Sequence, residues 1–277
     1  MNPRPPDLPD YQRPPITEVV LSLQFEALES LKTPLIGVLW QRFREHLPDI
    51  EEHPPLPHVT EYFGTPIPPR IELVVEEKPP VPRVWFLTAG KTELIQVQQD
   101  RFIHNWRKVT GQEPYPRYLA IREKFKVEVA QFMEFLRVEK VGPMNIDQCE
   151  VTYVNQIEPR GIWQRHGDVS VVLRNWANLP PGAFLPQAED AGLRVRYVVP
   201  DESGKPVGRL HVLFHPAWKK VDNSPVFTMN LTARGKPLSD DLEGAFAFFD
   251  LGHRWIVKGF ADLATETMQH DAWERIQ

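Results

Sequence analysis

A chain of 277 residues with 42% hydrophobic and 25% charged residues is long enough for one large domain or two ordinary ones, and its composition excludes disorder and collagen-like order. No apolar run approaches the about 20 residues of a membrane span, and the N-terminus lacks the apolar core of a signal peptide, so the chain is read as cytoplasmic with no membrane partner. A net charge of −5 excludes the global footprint of a general nucleic-acid binder, and the single cysteine, Cys149, excludes an internal disulfide and a thiolate-cluster zinc site.

Six of the 29 prolines lie within residues 1–15 and nine within 54–82, which predicts an extended N-terminal arm over 1–15 and a loop-like stretch over 54–82. Between them Val19, Leu21, Leu23 and Phe25 alternate with Val20, Ser22 and Gln24, the period of a half-buried strand. Thr33 is expected to cap a helix with Pro34 at its first position, because Leu35, Leu39, Phe43 and Leu47 recur at a spacing of four. Short apolar runs at 70–76, 83–88 and 93–103 predict a meander of three or four strands, with Ala89-Gly90-Lys91-Thr92 as a hairpin turn. Tyr118, Ile121, Phe125, Val129, Phe132 and Leu136 then share one face of a long amphipathic helix that ends by Gly142-Pro143.

The same order restarts. Cys149, Val151, Tyr153 and Ile157 alternate with Glu150, Thr152 and Gln156. A segment at 164–177 reads equally as helix or loop, and strands are expected near 193–199, 207–215 and 225–234. Leu242, Phe246, Phe249, His253, Ile256, Phe260 and Leu263 form the apolar stripe of a final helix. The expected fold is therefore α+β: two similar strand-helix-meander-helix halves, residues 16–142 and 143–277, forming a curved antiparallel sheet with long helices packed on one face. This order is similar to that of the TATA-box-binding-protein fold, and less closely to helix-grip ligand-binding folds.

Particular segments also resemble a known family. They are Pro14-Pro15-Ile16-Thr17-Glu18-Val19-Val20, the run from Asp100 through Arg101-Phe102-Ile103-His104-Asn105-Trp106-Arg107-Lys108, Tyr153-Val154-Asn155, and Asp250-Leu251-Gly252-His253 with Phe260 and Thr265. Together they resemble a sporadically distributed family of bacterial proteins of about this length to which no activity is assigned. The resemblance spans nearly the whole chain. It implies a setting, an accessory system such as phage defence or another mobile-element function, rather than a reaction.

Motifs for chemistry are sparse. Neither G-x-x-x-x-G-K nor G-x-G-x-x-G occurs, nor the nucleophile elbow G-x-S-x-G, so no phosphate-cradling loop or serine hydrolase is anchored here and no cofactor is expected. His211 and His215 lie four residues apart on an expected strand, about 13 Å, too far to chelate one ion together. His46, His53 and His58 surround the proline-rich loop without a carboxylate motif, so no metal site is assigned. His253 stands where its helix otherwise places apolar residues. It reads as a satisfied core histidine or, with Asp250 one turn earlier to orient it, as a catalytic base for which no nucleophile can be named. Cys149 reads as a small buried hydrophobe.

Binding features are more coherent. Residues 91–126 carry eight basic and four acidic side chains, and Arg101, Asn105, Arg107 and Lys108 with Trp106 fit phosphate or an acidic protein. If the apolar sides of the last strands face the helices, the other sides present Arg194, Arg196, Arg209, His211, His215, Asn230 and Arg234 together, a basic uncovered sheet face. Against it stands an acidic segment, 240–277, with eight acidic and three basic residues. Two oppositely charged regions favour oriented docking with a protein or self-association. The chain is thus read as a non-catalytic protein-binding or scaffold component whose partner is another protein encoded nearby. A nucleic-acid-binding module using the basic sheet face is one alternative. A small-ligand protein or enzyme with a pocket between sheet and helix is the other.

Overall fold

The computed structural model describes residues 7–64 and 80–276. The chain begins with strand β1 (Ile16–Phe25), helix α1 (Thr33–Trp40), and strands β2 (Asp49–His53), β3 (Arg83–Leu87), β4 (Glu93–Gln98) and β5 (Arg101–Arg107). Helix α2 (Tyr118–Val138), strand β6 (Ile146–Ile157) and a single turn, α3 (Val169–Val172), follow. Strands β7 (Leu193–Pro200), β8 (Pro206–Trp218) and β9 (Pro225–Gly235) lead to helix α4 (Leu242–Leu263) and a π-helical turn, Met268–Ala272. All nine strands form one open antiparallel sheet in the order β2-β3-β4-β5-β1-β6-β9-β8-β7. The class is α+β, and none of the described helices is long and apolar enough to cross a membrane.

Alternation builds the core. Val19, Leu21, Leu23 and Phe25 of β1 are fully buried, as are Cys149, Val151 and Ile157 of β6 and Phe227, Met229, Leu231 and Ala233 of β9. Helix α2 lays Phe125 and Phe132 on Phe102 of β5, with ring centroids 6.0 and 4.6 Å apart. Helix α4 lies on β6, β9 and β8, and touches α2 through Phe246 and Phe249 against Phe125. Its approach requires glycine in the sheet. A Cβ on Gly235 would fall 2.2 Å from the Val207 carbonyl and 2.5 Å from the Phe248 ring, and one on Gly208 would fall 2.8 Å from the same ring.

Several expectations need correction. Lys32, not Thr33, holds the N-cap position of α1, and that helix stops at Trp40, with turns carrying Phe43 and Leu47 into the core. The run 93–103 is two strands parted by a turn at Gln99-Asp100. Strand β2 was not expected, because Asp49-Ile50-Glu51-Glu52-His53 sits at the sheet edge and needs no apolar alternation. The run 70–76 lies outside the described residues. The described part of the N-terminal arm does not project. Tyr11 is buried between Phe260 and Trp273, and the backbones of Gln12 and Arg13 donate to Glu274 and Trp273 carbonyls.

Candidate functional site

Four polar residues stand in register across four neighbouring strands. Gln98 of β4 pairs with Arg101 of β5, Arg101 with Gln24 of β1, and Gln24 with Gln148 of β6. The adjoining rung, Val97, Phe102, Leu23 and Cys149, is core. Side-chain alternation therefore turns the polar rung to the opposite side of the sheet.

That side is not uncovered, as the sequence suggested. Residues 54–64 cross it as a strap without secondary structure of their own. The Gln98 amide grips Leu56 by both backbone groups, accepting from its N–H at 2.9 Å and donating to its carbonyl at 3.0 Å. Gln24 grips Val59 in the same manner, accepting at 2.9 Å and donating at 2.8 Å. Between them the Arg101 guanidinium donates to the Pro57 carbonyl at 2.8 Å, and beyond them Glu61 N–H donates to Gln148 Oε1 at 3.4 Å. His58 rests against Asp100 and Asp147, at 3.0 and 3.1 Å.

Glu61 alone of the strap residues is buried. Its carboxylate meets the Arg209 guanidinium, His211 Nε2 at 2.5 Å and, at 3.5 Å, Arg234, which also donates to Glu150 at 2.6 Å. Arg209 further donates to the Tyr62 carbonyl at 3.0 Å and lies 4.8 Å over the Phe63 ring. Burial alone would raise the Glu61 carboxyl. The hydrogen bonds and charges of His211 and Arg209 outweigh it and hold the group below its ordinary value. Burial also lowers the Arg101 guanidinium, although the charges of Glu150 and Asp100 act against that.

The expected binding residues thus divide. Arg101, Arg209, His211 and Arg234 are engaged by the strap or by carboxylates. Asn105 joins Gln96 and Glu18, both at 2.6 Å, while Arg107 donates to the Lys91 carbonyl at 2.9 Å and lies over Trp85. Lys108 is half-buried, and burial lowers its ammonium. His215 turns to the Pro216 carbonyl at 3.2 Å, and the Asn230 side-chain oxygen is buried without a partner among the described residues. Arg194 and Arg196 on β7 are exposed and form no ion pair among the described residues. The positive balance over 91–126 is likewise absorbed within the molecule: Lys91 meets Glu51, Arg117 Asp10, Arg122 Asp250, Lys124 Glu93 and Lys126 Glu243.

His253 and Asp250 do not form the expected pair. Asp250 accepts from the Tyr118 hydroxyl at 2.7 Å and from Arg122 at 2.8 Å, whereas His253 Nδ1 meets the Tyr153 hydroxyl at 2.9 Å and its ring stacks on Tyr118 at 3.9 Å. One helical turn separates Asp250 from His253, and Tyr118 meets both, through its hydroxyl and its ring. Burial, reinforced by Asp250, raises the Tyr118 hydroxyl. The adjoining cavity of about 40 Å³ is lined by no serine, threonine or cysteine among the described residues.

Sequence reasoning missed Glu61, Gln98, Gln148 and the buried pair His104 and Glu128, whose Nδ1 and Oε2 lie 2.8 Å apart. Gln24 was visible only in the alternation of its strand. Glu61 gave no signal, since its partners lie about 150 residues away in the chain. Comparison with family models, with curated proteins and with solved structures gave no match.

Proposed function

We propose that the chain is a non-catalytic protein-binding component that docks a partner at the β7–β8 end of its sheet. The observation that carries this reading is the outer edge of β7. It pairs with no strand among the described residues, and Arg194, Arg196, Tyr197 and Val198 are exposed along it. An unpaired edge offers a row of backbone donors and acceptors to an added strand, and the two arginines favour an acidic one. The inward pairing of Arg209, His211 and Arg234 with Glu61 and Glu150 removes most of the free charge that binding to a phosphate backbone would use. The family resemblance implies the setting, a bacterial accessory or phage-defence system, and the partner is read as another protein encoded nearby.

We also infer that the two halves are structurally equivalent, with α2 and α4 on one face. Counted outward from the centre, the strands run β1-β5-β4-β3-β2 on one side and β6-β9-β8-β7 on the other, and each half ends in a long helix. The binding reading is tested by mass spectrometry of proteins that copurify with the tagged chain and with its Arg194→Ala/Arg196→Ala variant at moderate salt. A stoichiometric protein that the variant loses is the expected result. Nuclease-sensitive nucleic acid without such a protein overturns it.

A further inference from the structure

We propose that the rung Gln98-Arg101-Gln24-Gln148, with the Arg209-His211-Arg234 cluster at its end, is a track for an extended, proline-rich peptide bearing a carboxylate, and that residues 54–64 are its internal, competing occupant. The proposal deepens the protein-binding reading by naming the chemistry of the partner segment, and it rests on that reading only for its biological sense.

The strap is held as a ligand is held, rather than as a core element. Two glutamine amides each clamp the N–H and C=O of one residue, Leu56 and Val59, with no demand on the side chain. The clamps are three residues apart, the repeat of a polyproline II helix, and the intervening Pro57 presents the carbonyl that Arg101 takes. Spacing across the sheet agrees. From Gln98 on β4 to Gln148 on β6 are three inter-strand steps, about 14 Å at ~4.8 Å each, and the five residues from Leu56 to Glu61 span about 15.5 Å in polyproline II. A helix of the same five residues, about 7.5 Å long, would fall far short.

Specificity resides at the end of the track. The only buried strap side chain is the Glu61 carboxylate, facing Arg209, His211 and Arg234, while Glu150 answers Arg234 alone. With Glu61 withdrawn, Arg209 and His211 lose their carboxylate partner and Arg234 keeps only Glu150, so an incoming segment must bring a carboxylate two residues beyond the Gln24 clamp. Proline is accepted at positions 54, 55 and 57, and excluded at 56 and 59, where an N–H is gripped. Beyond the cluster lie Arg194 and Arg196, placed to receive further acidic residues of the same partner.

The test uses the full chain and a fluorescent synthetic peptide of residues 54–64. The wild-type chain should bind it weakly, because its own strap competes at high effective concentration. Glu61→Ala loosens that strap and should tighten peptide binding at least about tenfold, as expected when one partner of a buried ion pair is removed. The gain should vanish when the peptide's own glutamate is replaced by alanine, and when Arg209→Ala is added to the chain. Should Glu61→Ala fail to fold, Glu61→Gln keeps the volume and removes the charge. Amide exchange at Leu56 and Val59 of the wild-type chain, which should rise with excess peptide while β1 is unchanged, needs no variant. A folded Glu61 variant that binds no better than wild type, or exchange unmoved by peptide, overturns the track. Neither result touches the copurification test at Arg194 and Arg196, so the two ideas fail separately.

Discussion

Burial pushes the Cys149 thiol up, and the Asp147 charge acts in the same direction, so this side chain stays a neutral, unreactive part of the core. Glu61 is also buried, though less deeply, and its carboxyl is held down by the hydrogen bonds and charges of His211 and Arg209. The difference sets a pH dependence. A carboxyl whose folded value lies below its ordinary 4.5 contributes stability at pH above that ordinary value, and the contribution is lost as pH falls through the lowered one. The groups facing it are Arg209 and His211 of β8 and Arg234 of β9, the last shared with Glu150 of β6. His58 of the strap lies against Asp100 and Asp147 and does not touch Glu61. Strap amides, read at Val59 and Glu61 by hydrogen exchange, should therefore open below pH 4.5 while β1 and β6 stay protected. Glu61→Gln should open them at neutral pH and abolish the acid step, whereas His58→Gln should leave that step in place. An acid step unchanged in Glu61→Gln would assign it elsewhere.

Between elements, the contact of α2 with β5 mixes aromatic packing with one buried polar pair, His104 and Glu128. Their side chains are 1% and 8% exposed, and His104 Nε2 has no partner among the described residues. Breaking such a pair costs more than replacing it. His104→Leu strands a buried carboxylate and should destabilise by about 3–5 kcal/mol. Glu128→Leu strands only an imidazole and should cost about 1–3 kcal/mol. The double variant should lose clearly less than the sum, a coupling that denaturant unfolding of all four proteins measures. Additive losses would mean that the two side chains do not act as a pair. This contact also shows where the sequence was legible. The period of α2 could be read locally, whereas β5 was merged with β4 into one run, and that His104 meets Glu128 depends on which strand the helix crosses. The same limit hid the strap. Gln24, Gln98 and Gln148 lie far apart in the chain, and only strand register makes them one rung. Strand β2 escaped for a different reason, since an edge strand buries too little to impose a pattern.

At the scale of the molecule, the sheet is closed at its centre rather than at a domain boundary. Strand β1 pairs with β6 along its whole length, so the middle of the sheet joins residues 16–25 to residues 146–157, and one contiguous core draws on both halves. The two ends of the described chain are stitched as well. Tyr11 bridges to Arg275, the Ile276 N–H donates to the Asp10 carbonyl, and the Tyr11 hydroxyl donates to Gln269 at 3.0 Å inside a nest of Phe260 and Trp273. Order of elements made the α+β class legible in the sequence, but it could not show that β1 and β6 form the central ladder. A split at residue 142 should therefore expose the β1 and β6 edges together with Leu21, Leu23, Val151 and Tyr153, and neither fragment should fold alone. Mixed in equal amounts, the fragments should recover the circular dichroism of the intact chain. The intact chain should unfold in one cooperative transition. Tyr11→Ala tests the stitch: it uncovers Phe260 and Trp273 and should cost about 2–4 kcal/mol by the burial of one large aromatic side chain and its contacts. A fragment that folds by itself, or two separate transitions in the intact chain, would show instead that each half carries its own stability and that the β1–β6 ladder is a docking surface between them.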